Sequence, residues 1–179
     1  MVYICNYESP LGKLVMASDG KSLTGLWFEG QKYFASTVAK EVQCQLMMQR
    51  ETQTSLYELE DKLPVFEQTR QWLDCYFKGE EPQNMPPLAP AGSEFRKLIW
   101  KLLLEIPYGT AVTYGELGRR AAAALGRETM SAQAVGGAVG HNPISILIPC
   151  HRILGAGGKL TGYAAGIEIK EKLLKLEEI

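Results

Sequence analysis

Apolar residues cluster in short β-prone runs near the start of the chain: Tyr3-Ile4-Cys5, Lys13-Leu14-Val15-Met16-Ala17, and Leu23 to Phe28. Ser9-Pro10-Leu11-Gly12 separates the first two and Asp19-Gly20 the second two, and an Asp-Gly pair between such runs is a strong hairpin signal. The pattern predicts a small antiparallel sheet. Residues 30–60 are polar and assign no element. From Val65 to Phe77 the apolar positions return at helical spacing, ending on Lys78-Gly79, a basic last turn with a glycine stop. The aromatics of that face read as core. Prolines then crowd residues 81–92, which contain few large apolar side chains, and this stretch reads as a linker.

Beyond the linker the period stays helical. Ser93 is a candidate N-cap for a helix with Phe95, Leu98, Ile99, Leu102 and Leu103 on one face, stopping before Pro107-Tyr108-Gly109. A second helix runs from Thr113 to Leu125, with Thr113 and Glu116 spaced as a capping box. Ser131 starts a third, ending near Gly140. A fourth spans Ile167 to about Glu177, with Ile169, Leu173, Leu174 and Leu176 as its expected buried face. The second and third helices fit a helix-turn-helix or any helical pair. Ala132, Ala134, Gly136, Gly137 and Ala138 make the third unusually slender, suited either to a nucleic-acid backbone or to close packing against another helix.

These elements imply an α+β chain in two parts: an N-terminal α/β support domain over residues 1–80, a linker over 81–92, and a mainly helical domain over 93–179. Composition is that of an ordinary soluble protein, and no apolar run reaches membrane-spanning length. The N-terminus lacks the basic and apolar regions of a signal peptide, so a cytoplasmic location is expected. Net charge is −1, but residues 93–179 hold eleven Lys or Arg against eight Asp or Glu, while the first 92 hold eight against twelve. The basic half fits brief phosphate contact or simply a solvated face. Cys5, Cys44, Cys75 and Cys150 form no CxxC pair, and free thiols are expected.

Candidate chemistry concentrates at Ile144 to Arg152, where an apolar run ends at Pro149 and Cys150, His151 and Arg152 follow. Proline fixes a backbone angle and removes a donor, so Cys150 is expected to emerge at a rigid turn. An imidazole or guanidinium beside a thiol shifts it toward the nucleophilic thiolate. His151 and Arg152 supply both. His151 is one of only two histidines, the other being His141.

Pro149-Cys150-His151-Arg152, preceded by Gly136-Gly137-Ala138 and Asn142-Pro143, resembles the O6-alkylguanine-DNA alkyltransferases, also called methylated-DNA-protein-cysteine methyltransferases, over about Phe95 to Glu177. The resemblance implies direct reversal of damage in double-stranded DNA, through the minor groove, by a protein consumed after one turnover. It implies Cys150 as alkyl acceptor, His151 as base through a water, Glu177 as the group holding that imidazole, and Tyr114 as proton donor to the purine. Asn142 would tie the third helix to the cysteine loop. Tyr163, Ala164 and Ala165 would close over the flipped base, and Ala132, Gln133, Gly136 and Arg152 complete the expected substrate and DNA contacts. Two positions depart from the family pattern: Gln133 stands where relatives carry arginine, and Ala164-Ala165 where serine and glycine are common. No cofactor is implied. The structural zinc of some relatives lacks its ligands here, so no metal is expected, and a monomer is. Competing readings are a non-enzymatic alkyl-lesion sensor, which Cys150 argues against, and a Cys-His thiol enzyme unrelated to DNA.

Overall fold

The computed structural model describes residues 1–48, 58–59 and 62–179, and the chain divides into two compact units, Met1–Ala91 and Gly92–Ile179. In the first, β1 (Tyr3–Ser9), β2 (Gly12–Ser18) and β3 (Leu23–Phe28) form an antiparallel meander with Ser9 opposite Gly12 and Leu14 opposite Phe28. Asp19 stabilises the second turn by accepting hydrogen bonds from Lys21 and Ser22 N–H at 2.8 and 2.7 Å. Ile4, Val15, Ala17 and Trp27 fill one core cluster with Phe34 and Ala35. Trp27 folds over Gly25, two residues back on the same strand face; a Cβ at Gly25 would sit 1.8 Å from the indole.

Two elements of this unit carry no sequence signal. Helix α1 (Lys40–Met48) fully buries only Val42, so its apolar period is too weak to read. Strand β4 (Glu58–Leu59) is two residues long, and it pairs parallel to β1, making the sheet mixed in the order β3-β2-β1-β4. Of the polar stretch left unassigned, residues 49–57 and 60 lie outside those described. Helix α2 (Pro64–Tyr76) begins on Pro64, where the missing N–H costs nothing, and buries Val65, Phe66, Thr69, Trp72, Leu73 and Tyr76. The aromatic face is core, with Trp72 stacked on Tyr76 at 5.4 Å. The proline stretch expected as linker is partly stitched down: Leu23 N–H donates to Pro87 O, and Ala89 N–H to Leu23 O, both at 2.8 Å.

The second unit is built on four capped or buried helices. Ser93, Thr113 and Ser131 each accept a hydrogen bond from the N–H three residues on, capping α3 (Glu94–Leu104), α4 (Tyr114–Ala124) and α5 (Ala132–Gly140). Each such cap is worth about 1 kcal/mol. Glu116 turns its carboxylate to Arg120. Helix α3 buries Ile99, Trp100, Leu102 and Leu103, and Trp100 Nε1–H donates to Ala138 O of α5 at 2.9 Å. Phe95 and Leu98, expected on that face, are half-buried and line a groove of about 500 Å³ with Leu125, Met130 and Ala134.

A short parallel pair absent from the sequence pattern, β5 (Val112–Thr113) with β6 (Ile153–Leu154), fixes the start of α4 relative to the cysteine segment. Helix α6 (Ile167–Leu176) buries Leu173 and Leu174 as expected, but Ile169 and Leu176 are only half-buried and Lys170 is fully so. None of the helices among the described residues is long and apolar enough to cross a membrane.

Candidate active site

The segment that leads to Cys150 is coiled around one side chain. Asn142 is buried; its Oδ1 accepts from Ile144 N–H at 3.0 Å, while Nδ2 donates to Ile148 O at 2.7 Å and to Cys150 Sγ at 3.1 Å. Two three-residue turns tighten the loop between them. Leu147 N–H reaches Ser145 O at 2.8 Å around Ile146, and Cys150 N–H reaches Ile148 O at 2.8 Å around Pro149, whose φ and ψ are −82° and 63°. Ile146 has φ +69°, a conformation costing a β-branched residue on the order of 1–3 kcal/mol, and its completely buried side chain holds it there. Cys150 then opens a 3-10 turn through Arg152 and is 6% exposed.

His151 is fully buried, and its Nε2 lies 2.6 Å from Glu177 Oε1. An ionised carboxylate can only accept, so the ring proton sits on Nε2 and the basic lone pair on Nδ1. Arg152 Nε and Nη2 donate to the same carboxylate at 2.7 and 3.2 Å, and Gly109 N–H adds a fourth bond at 3.2 Å. Gly109 has φ +71° at the turn after Pro107, which turns its N–H to the carboxylate. Arg152 Nη1 donates to Ile106 O at 2.7 Å and the guanidinium lies 5.8 Å from the Tyr108 ring centroid. Burial pushes the Glu177 carboxyl up, but the hydrogen bonds from His151 and Arg152 and the charge of the guanidinium outweigh it and hold it at about 2. A carboxylate at a helix C-terminus is thereby stabilised despite the dipole.

These contacts correct two expectations. Arg152 faces inward with its donors on Glu177 and Ile106, so it is a strut of the site rather than a DNA contact. The thiol is not held ionised by its sequence neighbours either. Burial pushes Cys150 above the usual thiol range, against the opposing pull of Asn142 and Lys170, and burial likewise pushes His151 down, leaving a neutral imidazole. The resting pair is thiol and imidazole.

Tyr114, the first residue of α4, is half-buried; burial and the facing Cys150 sulfur raise its phenol, so it keeps its proton. Tyr163 points a buried hydroxyl inward, and burial and Cys150 raise it further. Ala164 and Ala165 follow, half-buried. On α5, Ala132, Gln133, Ala134 and Gly137 are exposed and Gly136 half-buried. Apart from chain neighbours and the backbone of α5 itself, no described residue comes within 4 Å of a Cβ built at Gly136, Gly137 or Gly140, so close packing against another element is not what those glycines serve.

Sequence reasoning missed Lys170, whose Nζ donates to three backbone carbonyls near the site. Its spacing to Leu173 and Leu174 puts it on their face; only its charge argued outward. No cluster of three His, Cys, Asp or Glu able to hold a metal occurs among the described residues.

A family model described as 6-O-methylguanine DNA methyltransferase, DNA binding domain, matches residues 94–179, and one described as its ribonuclease-like domain matches residues 2–88. A methylated-DNA--protein-cysteine methyltransferase of Haemophilus influenzae is 41% identical, over 99% of this chain and 87% of its own. One of Methanosarcina acetivorans is 41% identical over 98% of each. Among solved structures, the O6-methylguanine methyltransferase of Mycobacterium tuberculosis gives a TM-score of 0.77 at 37% identity, over 99% of this chain and 93% of that one. The OGT of that organism in complex with DNA gives 0.76 at 36%, over 98% and 92%. With its two parts matched in order and relatives of this identity spanning its length, the chain belongs to the 6-O-methylguanine DNA methyltransferase family.

Proposed function

We propose that this protein repairs O6-alkylguanine in double-stranded DNA by moving the alkyl group irreversibly onto Cys150. The observation that carries the reading is a buried Cys150 thiol directly followed in the chain by a neutral His151 that is hydrogen-bonded to an ionised Glu177. As the thiol approaches the alkyl carbon, its proton passes through a water to His151 Nδ1, and Glu177 stabilises the imidazolium that forms. The sulfur–carbon bond forms as the carbon–O6 bond breaks. Tyr114 gives its phenolic proton to the purine as charge accumulates there, and guanine leaves restored. The product is a thioether, so each molecule acts once.

The damaged base is inaccessible within a duplex and is flipped out of the stack. Helices α4 and α5 act as a helix-turn-helix with α5 in the minor groove, the bare faces of Ala132, Gly136 and Gly137 letting the backbone come close. The segment holding Tyr163, Ala164 and Ala165 covers the base. With Cys150 6% exposed, this segment yields to admit guanine, and Gly162 and Gly166 flank it. DNA binding and alkyl acceptance are assigned to residues 93–179 and support to 1–80, in a monomer working in the cytoplasm.

Duplex DNA carrying O6-benzylguanine tests this directly by intact mass and peptide mapping. One benzyl group per molecule on Cys150 is expected. Binding without a mass increase would instead favour the lesion-sensor reading, and a benzyl-free protein that does not bind would sink both.

Gln133 lies exposed on α5 at the position where a fixed planar cation would fill the gap left by the flipped base. Glutamine hydrogen-bonds but lacks the charge and stacking surface of a guanidinium. Gln133→Arg is expected to tighten duplex binding by roughly tenfold, about the 1–2 kcal/mol of a stacked cation, and to raise the transfer rate on DNA. Titration of a labelled duplex at fixed salt checks it; unchanged affinity and rate would remove Gln133 from the interface.

A further inference from the structure

The hydroxyl of Thr161 is shut off from solvent, yet it makes no hydrogen bond among the described residues. A buried hydroxyl left unpaired costs stability, and valine would fill the same space without that cost. The position of this hydroxyl is nevertheless built with care. The pairing of β5 with β6 sets Thr113 opposite Leu154, so Tyr114 and Gly155 are the residues that leave the pair. A Cβ at Gly155 would lie 2.8 Å from Thr161 Cγ2 and 3.3 Å from Lys159 O. Gly155 has a φ of −71°, open to any residue, so space and not backbone angle calls for glycine there. Gly155 N–H donates to Lys159 O at 2.8 Å, and Thr161 O accepts from Lys170 Nζ at 2.8 Å. With its backbone tied down and its methyl group seated on the bare Cα of Gly155, a β-branched side chain has no freedom left at χ1. The hydroxyl is fixed as a result.

It faces the Tyr114 phenol. Burial, and after it the Cys150 sulfur, hold that phenol above its usual range, and the Thr161 hydroxyl is the group that pulls the other way. At rest the phenol keeps its proton and asks nothing of a donor. Once the proton has gone to the purine, the Tyr114 oxygen carries negative charge in a site closed to water, where a donor already in place is worth most. An interaction that strengthens only as charge develops accelerates the step, whereas one equally strong at rest does not.

We propose that Thr161 is a positioning residue for the proton transfer: set by Gly155, its hydroxyl donates to the Tyr114 oxygen as that oxygen gives its proton to the purine. The Tyr114 O–H bond breaks, the proton ends on the purine as the alkyl carbon–O6 bond breaks, and Thr161 keeps its own proton throughout. This rests on the reading of Cys150 as acceptor and Tyr114 as proton donor.

Thr161→Val keeps the shape and removes the hydroxyl, and Thr161→Ser keeps the hydroxyl. Two rates are measured on the full chain: benzyl transfer from duplex DNA carrying O6-benzylguanine, and alkylation of Cys150 by iodoacetamide, which has no purine to protonate. T161V is expected to slow transfer by about tenfold or more, the scale of a hydrogen bond to a charged group, with iodoacetamide alkylation unchanged. T161S is expected to restore transfer. In a Tyr114→Phe background the valine exchange should change transfer by no more than about twofold, because the group through which Thr161 acts is gone. Equal slowing in both backgrounds, equal slowing of iodoacetamide alkylation, or undiminished transfer by T161V would each overturn the proposal. Should T161V not fold, Thr161→Ala removes the hydroxyl without added bulk and is judged by the same outcomes. If wild-type protein takes no benzyl group on Cys150, or Tyr114→Phe transfers as fast as wild type, the acceptor or the donor assignment itself has failed, a result distinct from equal transfer by wild type and T161V.

Discussion

Cys150→Ala is expected to bind a duplex carrying O6-benzylguanine and take no benzyl group from it, a complete loss of transfer rather than a slowing. The group that accepts carbon is absent, and nothing is expected to substitute for it at that position. Folding should be little disturbed, because Asn142 keeps its bonds to Ile148 O and Ile144 N–H when Sγ is removed. A loss on the order of 1 kcal/mol is expected for one small buried atom. Cys150→Ser is expected to be nearly as inert, since burial already raises the thiol and would oppose an alkoxide far more strongly. Mobility shift paired with intact mass separates the two properties. Benzylation of Cys150→Ala at another residue would show that the acceptor was wrongly chosen.

Glu177→Gln should follow with a transfer rate lower by on the order of 10³-fold, the scale on which losing the orienting carboxylate disables a base. An amide can present either its oxygen or its NH2 to His151 Nε2, so the tautomer with a basic Nδ1 is no longer enforced. It also leaves Arg152 as a buried cation without its counter-charge, for which a loss of about 3–5 kcal/mol is expected. Acid should reveal the same carboxylate in the wild-type protein. Its folded pKa of about 2 lies below the ordinary 4.5, so the stabilisation is fully present above pH 4.5 and is lost as pH falls toward 2. The size is about 3 kcal/mol. Urea melts of wild type and Glu177→Gln across pH 2–6 check it: the gap between them should close in acid, and a constant gap would contradict the assignment.

Long, strongly patterned elements were readable before any coordinates. The three strands of the meander, α2 and the caps at Ser93, Thr113 and Ser131 all sit where periodicity and side-chain chemistry put them. The two-residue strands were not, because β4, β5 and β6 are too short to show alternation and depend on partners far away in sequence. The site was half legible. Cys150 and His151 are adjacent in the chain, but adjacency carries no direction. In a 3-10 turn successive side chains diverge by about a third of a revolution, so Arg152 leaves the sulfur and meets Glu177 instead. Glu177 itself, a lone acid near the C-terminus, had no signature apart from the family resemblance. Lys170 had no signature at all, because charged residues rarely go inside without a partner of opposite charge.

Helix α5 carries a further implication. Since the Cβ positions of Gly136, Gly137 and Gly140 are open, alanine would fit at each, and every such exchange within a helix gains roughly 0.5–1 kcal/mol. The chain therefore forgoes a few degrees of heat tolerance that three single-codon changes could supply. A search for hardier variants would arrive at this helix early, and each methyl group it added would thicken the surface proposed to lie against the double helix.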